Sequence, residues 1–297
     1  MLNHPITAKV ACVAILLSLL WGGNSPSIKI GLEGFPPFAM AGVRFILGAL
    51  TVFVWVLVAR IPLKMNRAER RLMFFLVSVF VLQICLLHLG TGFTLASHSG
   101  VFISTGPFFL ALFAHFFLPN DKLSPIKVAG MALSFVGVVL IFGEGFLASA
   151  TEYLLGDALV LMSGIILGAR QVYTKTLTQS IHPARLLFWQ ASLSIPIFFV
   201  LSAVFESGHT ITINTRVVFG IIYQGVVIGG LCFIIWTVLL WRYNASSLGV
   251  FGFITPISGV VISYLILGEP ISNALILGVI LVGAGITVAN LPKGRNK

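Results

Sequence analysis

The sequence predicts an all-α membrane protein of ten transmembrane helices, built as two inverted five-helix repeats, on three observations. The 297 residues are 58% hydrophobic and 9% charged, with a mean hydropathy of +1.07, so water cannot solvate most of the chain. Apolar stretches close to the ~20 residues that cross a hydrocarbon core recur along it. The same unit also occurs twice. Gly22, Lys29 and Pro37 return as Gly168, Lys175 and Pro183 at an offset of 146 (168 − 22). Gly100, Val101, Phe102 and Pro107 return as Gly249, Val250, Phe251 and Pro256 at 149 (249 − 100), and Gly130 and Gly137 return as Gly278 and Gly285 at 148 (278 − 130). An odd number of spans per copy turns the second copy over in the membrane, the inverted-repeat architecture of secondary transporters.

In order, the spans read as 9 to 30, 36 to 60, 71 to 93, 97 to 118, 124 to 143, 154 to 176, 183 to 205, 215 to 243, 247 to 267 and 272 to 291. The first is too long for a signal peptide and lacks a small-x-small cleavage site, so it is read as a retained helix. Proline opens the second and seventh spans at Pro37 and Pro183, and Pro107 and Pro256 lie at matching points of the fourth and ninth. Residues 9–143 form the first repeat, 154–291 the second, and 292–297 a basic cytoplasmic tail. No run shows the period-two alternation of a membrane barrel, and no hydrophilic stretch is long enough for a soluble domain.

A net charge of +10 on a soluble protein would point to nucleic acid; here its distribution gives orientation. With both termini cytoplasmic, fourteen of the eighteen basic residues fall on that side, among them Arg60, Lys64, Arg67, Arg70 and Arg71. The expected partners are a small-molecule substrate and a bilayer with anionic lipids on its cytoplasmic face, and no nucleic acid. Six of the eight acids fall on or near the outer side. Cys12, Cys85 and Cys232 lie singly in separate spans, so neither a disulfide framework nor a metal site is expected. No cofactor is implied.

Trp21-Gly22-Gly23-Asn24, then Ile28-Lys29-Ile30-Gly31-Leu32, Pro36-Pro37 and Arg44-Phe45, resemble the opening of an EamA domain of the drug/metabolite transporter superfamily. The second copy closes in the same style, with Pro256, Gly268-Glu269-Pro270, Gly278 and Gly285. The first copy departs from the pattern: Pro119-Asn120-Asp121 stands where the family carries a pair like Gly268-Glu269, which points to a helix-end role for that glutamate. The resemblance implies a multi-pass permease of the bacterial inner membrane that exports amino acids or their derivatives, with spans three, four, eight and nine around the pathway.

Polar groups in hydrocarbon are costly unless paired or facing a cavity, so each is a candidate. Asn24, Gln83, His88, Thr105, Tyr223, Gln224, Trp236 and Thr255 are the candidates for the substrate pathway, Gln83 and the Tyr223–Gln224 pair as repeat mates in spans three and eight. An amide there also serves as an interhelical bond, and a lone histidine as a neutral, satisfied donor. Arg44, whose repeat mate is Gln190, is either a contact for a solute anion or a clamp on helix ends; Arg170 either gates or snorkels. Gly22, Gly23, Pro107 and Pro256 are candidate hinges, the glycines alternatively serving close packing. No carboxylate is read as lying clearly within a span, which argues against a carboxylate proton relay, and no catalytic motif appears at workable spacing, so the protein is not expected to be an enzyme. Carriers of phosphorylated sugars or nucleotide sugars, channel-like facilitators and non-transporting scaffolds remain the alternatives.

Overall fold

The computed structural model describes residues 6–118, 124–147, 153–243, 248 and 250–289; Pro119-Asn120-Asp121 and the tail 292–297 lie outside them. All regular elements among them are helical. In chain order they are α1 (Ala8–Gly22), α2 (Asn24–Leu32), α3 (Pro37–Val58), α4 (Arg67–Phe93), α5 (Ala96–Ile103), α6 (Gly106–Phe117), α7 (Pro125–Leu147), α8 (Leu154–Leu177), α9 (Pro183–Phe205), α10 (Thr215–Ile222), a π-helical segment (Tyr223–Cys232), α11 (Phe233–Arg242), a 3₁₀ turn (Val250–Phe253), α12 (Ile254–Leu267) and α13 (Asn273–Ala289).

Several of these join end to end. Seven stretches are long and apolar enough to cross a membrane: Ala8–Leu32, Pro37–Val58, Arg67–Phe93, Ala96–Phe117, Leu154–Leu177, Pro183–Phe205 and Thr215–Arg242. Three shorter apolar helices, Val128–Ile141, Ile254–Leu267 and Asn273–Gly285, accompany them. The burial pattern is that of a protein coated in lipid. Phe74, Phe117 and Leu265 are more than 70% exposed, whereas Arg44, Gln83, His88, Gln190 and Gln224 are at most 2% exposed.

The helices start where the sequence supplies caps. Asn66 and Glu69 form a capping box on α4, Pro37 opens α3, and the side chains of His182 and Asn214 accept amide protons at the starts of α9 and α10. Other ends are tied across the chain. Glu206 accepts from Phe38 N and Ala39 N at 2.7 and 3.0 Å, and Glu269 accepts from Ala96 N and Ser97 N at 2.7 and 2.8 Å, so each carboxylate sits on a helix N-terminus. Gly268, at φ 69°, ends α12 in the left-handed conformation that glycine adopts without penalty and turns Glu269 toward α5. Lysines do the converse. Lys29 Nζ donates to Thr91 O, Gly92 O and Thr94 O (3.1, 3.1 and 2.6 Å) at the end of α4, and Lys175 Nζ donates to Leu240 O and Tyr243 O (2.6 and 3.2 Å) at the end of α11.

Asp157 corrects one expectation. It lies in the first turn of α8, 1% exposed, where it accepts from Thr94 Oγ1 and faces His98 Nδ1 at 3.2 Å, so a carboxylate is buried within a span. Its proximity to a helix N-terminus and its hydroxyl donor make that burial tolerable.

Small residues set the close contacts. α7 packs on α13 where a Cβ on Gly278 would meet Gly137 O at 2.9 Å, and Ser134 Oγ donates to Val282 O at 3.0 Å. α4 packs on α8, α6 on α8, α3 on α9 and on the π-helical segment, and both α1 and α5 on α12.

Candidate functional site

A cavity of about 150 Å³ lies inside the bundle. All seven membrane-length stretches and the 3₁₀ turn–α12 junction contribute to its wall, and none of the lining residues comes from α7 or α13. Ser18, Trp21 and Asn24 line it from the first span, Arg44 from α3, Gln83, Ile84 and Leu87 from α4, and Ile103, Ser104 and Pro107 from the α5–α6 junction. Leu167, Arg170, Gln171 and Thr174 come from α8, and Phe233, Trp236, Thr237 and Leu240 from α11. Both of the latter sets follow the i, i+3, i+4, i+7 spacing of one helical face. Leu187, Gln190, Ile228, Gly252 and Thr255 complete the wall.

The two cations are set by aromatic rings and glycines. Phe45 and Phe80 meet edge to face at 4.8 Å; the Arg170 guanidinium lies 5.1 Å from the Phe80 centroid and that of Arg44 lies 5.2 Å from Phe45. The Arg44 Nη1 donates to His88 Nε2 at 3.3 Å; because a guanidinium only donates, the ring accepts there and is neutral in this arrangement. Arg44 is 1% exposed and Arg170 8%, and among the described residues neither faces a carboxylate. Gly225 brings the π-helical segment against α3: a Cβ there would lie 2.8 Å from Arg44 O and 2.5 Å from Leu47 Cβ. The widened i→i+5 pattern of this segment puts Gly229 beside the Arg44 Nε, where a Cβ would come within 3.9 Å.

Gln83 is divided between two tasks. Its Nε2 donates to Ser163 Oγ at 2.9 Å and that hydroxyl donates back to Gln83 O at 2.9 Å, clamping α4 to α8, while Oε1 has no partner among the described residues. Eight of the thirteen buried side-chain polar atoms without such a partner belong to the cavity wall: Asn24 Oδ1, Arg44 Nε, Gln83 Oε1, Arg170 Nε, Gln171 Oε1, Thr174 Oγ1, Gln190 Oε1 and Trp236 Nε1. Buried polar groups are nearly always paired, so this concentration makes the cavity the candidate site.

Of the residues expected on a pathway, Asn24, Gln83, Trp236 and Thr255 line the cavity, together with Arg44, Arg170 and Pro107. Four others lie off it. His88 is behind Arg44; Thr105 Oγ1 donates to Phe102 O at 2.6 Å and packs on Gly164. Tyr223 Oη donates to Leu20 O at 2.7 Å, and Gln224 Nε2 to Ser27 O at 2.7 Å, both as interhelical bonds. Gly22 and Gly23 sit at the α1–α2 junction but pack closely, on Ser258 and on the Tyr223 ring. Pro107 follows a two-residue interruption between α5 and α6, and Pro256 follows the 3₁₀ turn that opens α12, so both spans break just before their prolines. The α8 face with Gln171 and Thr174, and Gln190 on α9, were not singled out from sequence as pathway residues; the polar stripe Arg170–Gln171–Thr174 at helical spacing is the signal that would have found the first of these.

The profile of the EamA-like transporter family matches residues 8–143 and 154–291. The chain belongs to the EamA-like transporter family. It is similar to "Uncharacterized transporter YoaV" of Bacillus subtilis (strain 168), at 25% identity over 97% of this chain and 99% of that one. It is also similar to a protein of Escherichia coli (strain K12) named "Probable amino-acid metabolite efflux pump", at 26% identity over 95% of each. A solved chain described as "Crystal structure of protein" shares the fold, with a TM-score of 0.74 at 18% identity over 95% of this chain and 97% of that chain. The EamA-like chain is therefore a multi-pass membrane protein of a transporter family.

Thiol labelling tests the wall. In a background lacking Cys12, Cys85 and Cys232, all unpaired here, Gln83→Cys, Thr174→Cys and Gln190→Cys should react with a small hydrophilic thiol reagent, and Thr105→Cys and Gln224→Cys should not. Equal reactivity at all five sites would remove the distinction between cavity and interhelical bond.

Proposed function

We propose that this protein is an inner-membrane carrier that exports small organic metabolites, amino acids or their derivatives, by alternating access. The observation that carries the reading is the central cavity in which two buried guanidiniums face unpartnered amides and aromatic rings with no facing carboxylate among the described residues. Burying a guanidinium costs ~2.5 to 3.5 kcal/mol on insertion scales, so a pair kept at a cavity wall is best explained by an anionic group that visits it. Two relatives, 26% and 27% identical, are named as probable amino-acid metabolite efflux pumps, which supports the reading.

The ten spans form two inverted repeats in this reading. The lysine pair supports it: Lys29 and Lys175 are 146 positions apart (175 − 29), and the carbonyls they hold, Thr91 and Thr94 against Leu240 and Tyr243, are 149 apart (240 − 91, 243 − 94). Turned over, the same plug closes the end of one span on each side of the membrane. Both termini are then cytoplasmic, as the Lys and Arg distribution favours.

Transport is tested with the full chain in liposomes preloaded with unlabelled solute, where a carrier gives saturable counterflow of labelled solute and a channel or a scaffold gives none. Topology is tested separately: reporters fused after Lys297 and within 144–152 should lie on opposite sides, and the same side for both would end the inverted arrangement.

A further inference from the structure

We infer that the cavity selects solutes of net negative charge: carboxylates whose neighbouring nitrogen is acylated or absent, in preference to zwitterionic amino acids. The inference rests on the transport reading above and narrows its substrate class. A zwitterion needs a counter-charge for its ammonium as well as for its carboxylate. Arg44 and Arg170 provide for the carboxylate and stay charged at any physiological pH. For the ammonium the wall offers no carboxylate, only neutral oxygens and aromatic faces, and two fixed cations in a low-dielectric space repel it.

The described acids with defined side chains are all committed elsewhere. Glu33 faces Arg216 at 3.3 Å at the surface. Glu69 caps its own helix and holds Arg185 at 2.6 Å. Asp157 is held by Thr94 and His98, while Glu206 and Glu269 each sit on two amides of a helix N-terminus. Moving Glu69, Glu206 or Glu269 to the cavity would strip a helix end of its cap, and moving Glu33 or Asp157 would break the contacts just named.

The neutral groups of the wall suit an acylated nitrogen. The carbonyl oxygens of Gln83, Gln171 and Gln190 accept, matching an amide N–H, and the Trp236 Nε1–H donates, matching an acyl carbonyl. Ile84, Leu87, Ile103, Leu167 and Leu187 provide an apolar wall for the remainder of the solute.

Binding to the purified full chain is followed by the emission of Trp21 and Trp236, which line the cavity 5.1 Å apart, against a Trp236→Phe control, with counterflow in liposomes as the second readout. Four probes are compared: L-leucine, N-acetyl-L-leucine, 4-methyl-2-oxopentanoate and glucose 6-phosphate. The two organic carboxylates are expected to bind at least about tenfold more tightly than L-leucine, the scale of one charge-assisted bond gained without an opposing ammonium. Arg170→Gln should erase most of that preference and Arg170→Lys should retain more of it. L-leucine binding as tightly as its derivatives overturns the inference and leaves amino-acid transport standing. Glucose 6-phosphate binding best overturns it in favour of a phosphorylated solute. If none of the four binds or exchanges, the inference fails together with the proposed transport of solutes of this kind. The wild-type comparison decides even where a variant does not fold.

Discussion

Replacing Arg44 by glutamine is expected to reduce solute exchange at least about tenfold while leaving the thermal unfolding midpoint of the purified protein unchanged or slightly raised. A buried charge without a paired carboxylate contributes little to stability, and removing it relieves a desolvation penalty. Among the described residues the change removes the 3.3 Å contact to His88 and the 5.2 Å cation–π contact to Phe45, both weak beside the desolvation it relieves. A guanidinium that only clamps helix ends predicts the reverse: a lowered midpoint, with exchange recovered on cooling. Measuring both quantities on one preparation separates the two roles.

Gly156→Leu should prevent accumulation of folded protein. A Cβ at this position would lie 2.6 Å from Phe93 C and 2.7 Å from both Gly90 O and Thr94 N, so all three nearest atoms belong to the backbone of the neighbouring chain segment and none can rotate away. Even alanine must push α8 off the end of α4, at about 1 to 3 kcal/mol for overpacking alone. The shift would also pull Asp157 from Thr94. Gly92→Ala is the internal control, because its Cβ would meet only Leu32 Cδ1 at an ordinary 3.6 Å. Size-exclusion profiles after brief heating compare the variants; indistinguishable profiles for Gly156→Leu and wild type would show that the two helices do not meet this closely.

Long helices were legible in the sequence because membrane thickness fixes their length. Arg67–Phe93, Pro183–Phe205 and Thr215–Arg242 fall within a few residues of the apolar runs that predict them. The glycine pairs were legible too, since Gly137 and Gly278 recur within the repeat and meet in space. Facing direction was harder to read. Gln83 and His88 are five residues apart, which turns them to different sides of α4, and only one side meets the cavity. Repeat equivalence with Gln83 does not carry facing direction to Tyr223 and Gln224: they open the i→i+5 segment and bond Leu20 O and Ser27 O of neighbouring helices. Nor did local sequence reveal the bonds that tie Glu206 to Phe38 or Glu269 to Ala96, which join positions far apart in the chain. The burial of Asp157, one of the six acids read as lying on or near the outer side, depends on Thr94 and His98 of other elements and so leaves no local signal.

The meeting of Lys29, Asp157 and Glu269 around the α4–α5 junction bears on how fast such a carrier turns over. The lining residues of α8 and α11 lie in the opposite half of the bundle, toward Lys175 and Arg242. A carrier working by alternate exposure must part the Thr94 end to serve the second side, and there it breaks charge-assisted bonds that the solute never touches. If the proposed alternating access parts this latch, the enthalpy of breaking it is expected to enter the turnover of every solute the cavity accepts, tight or weak.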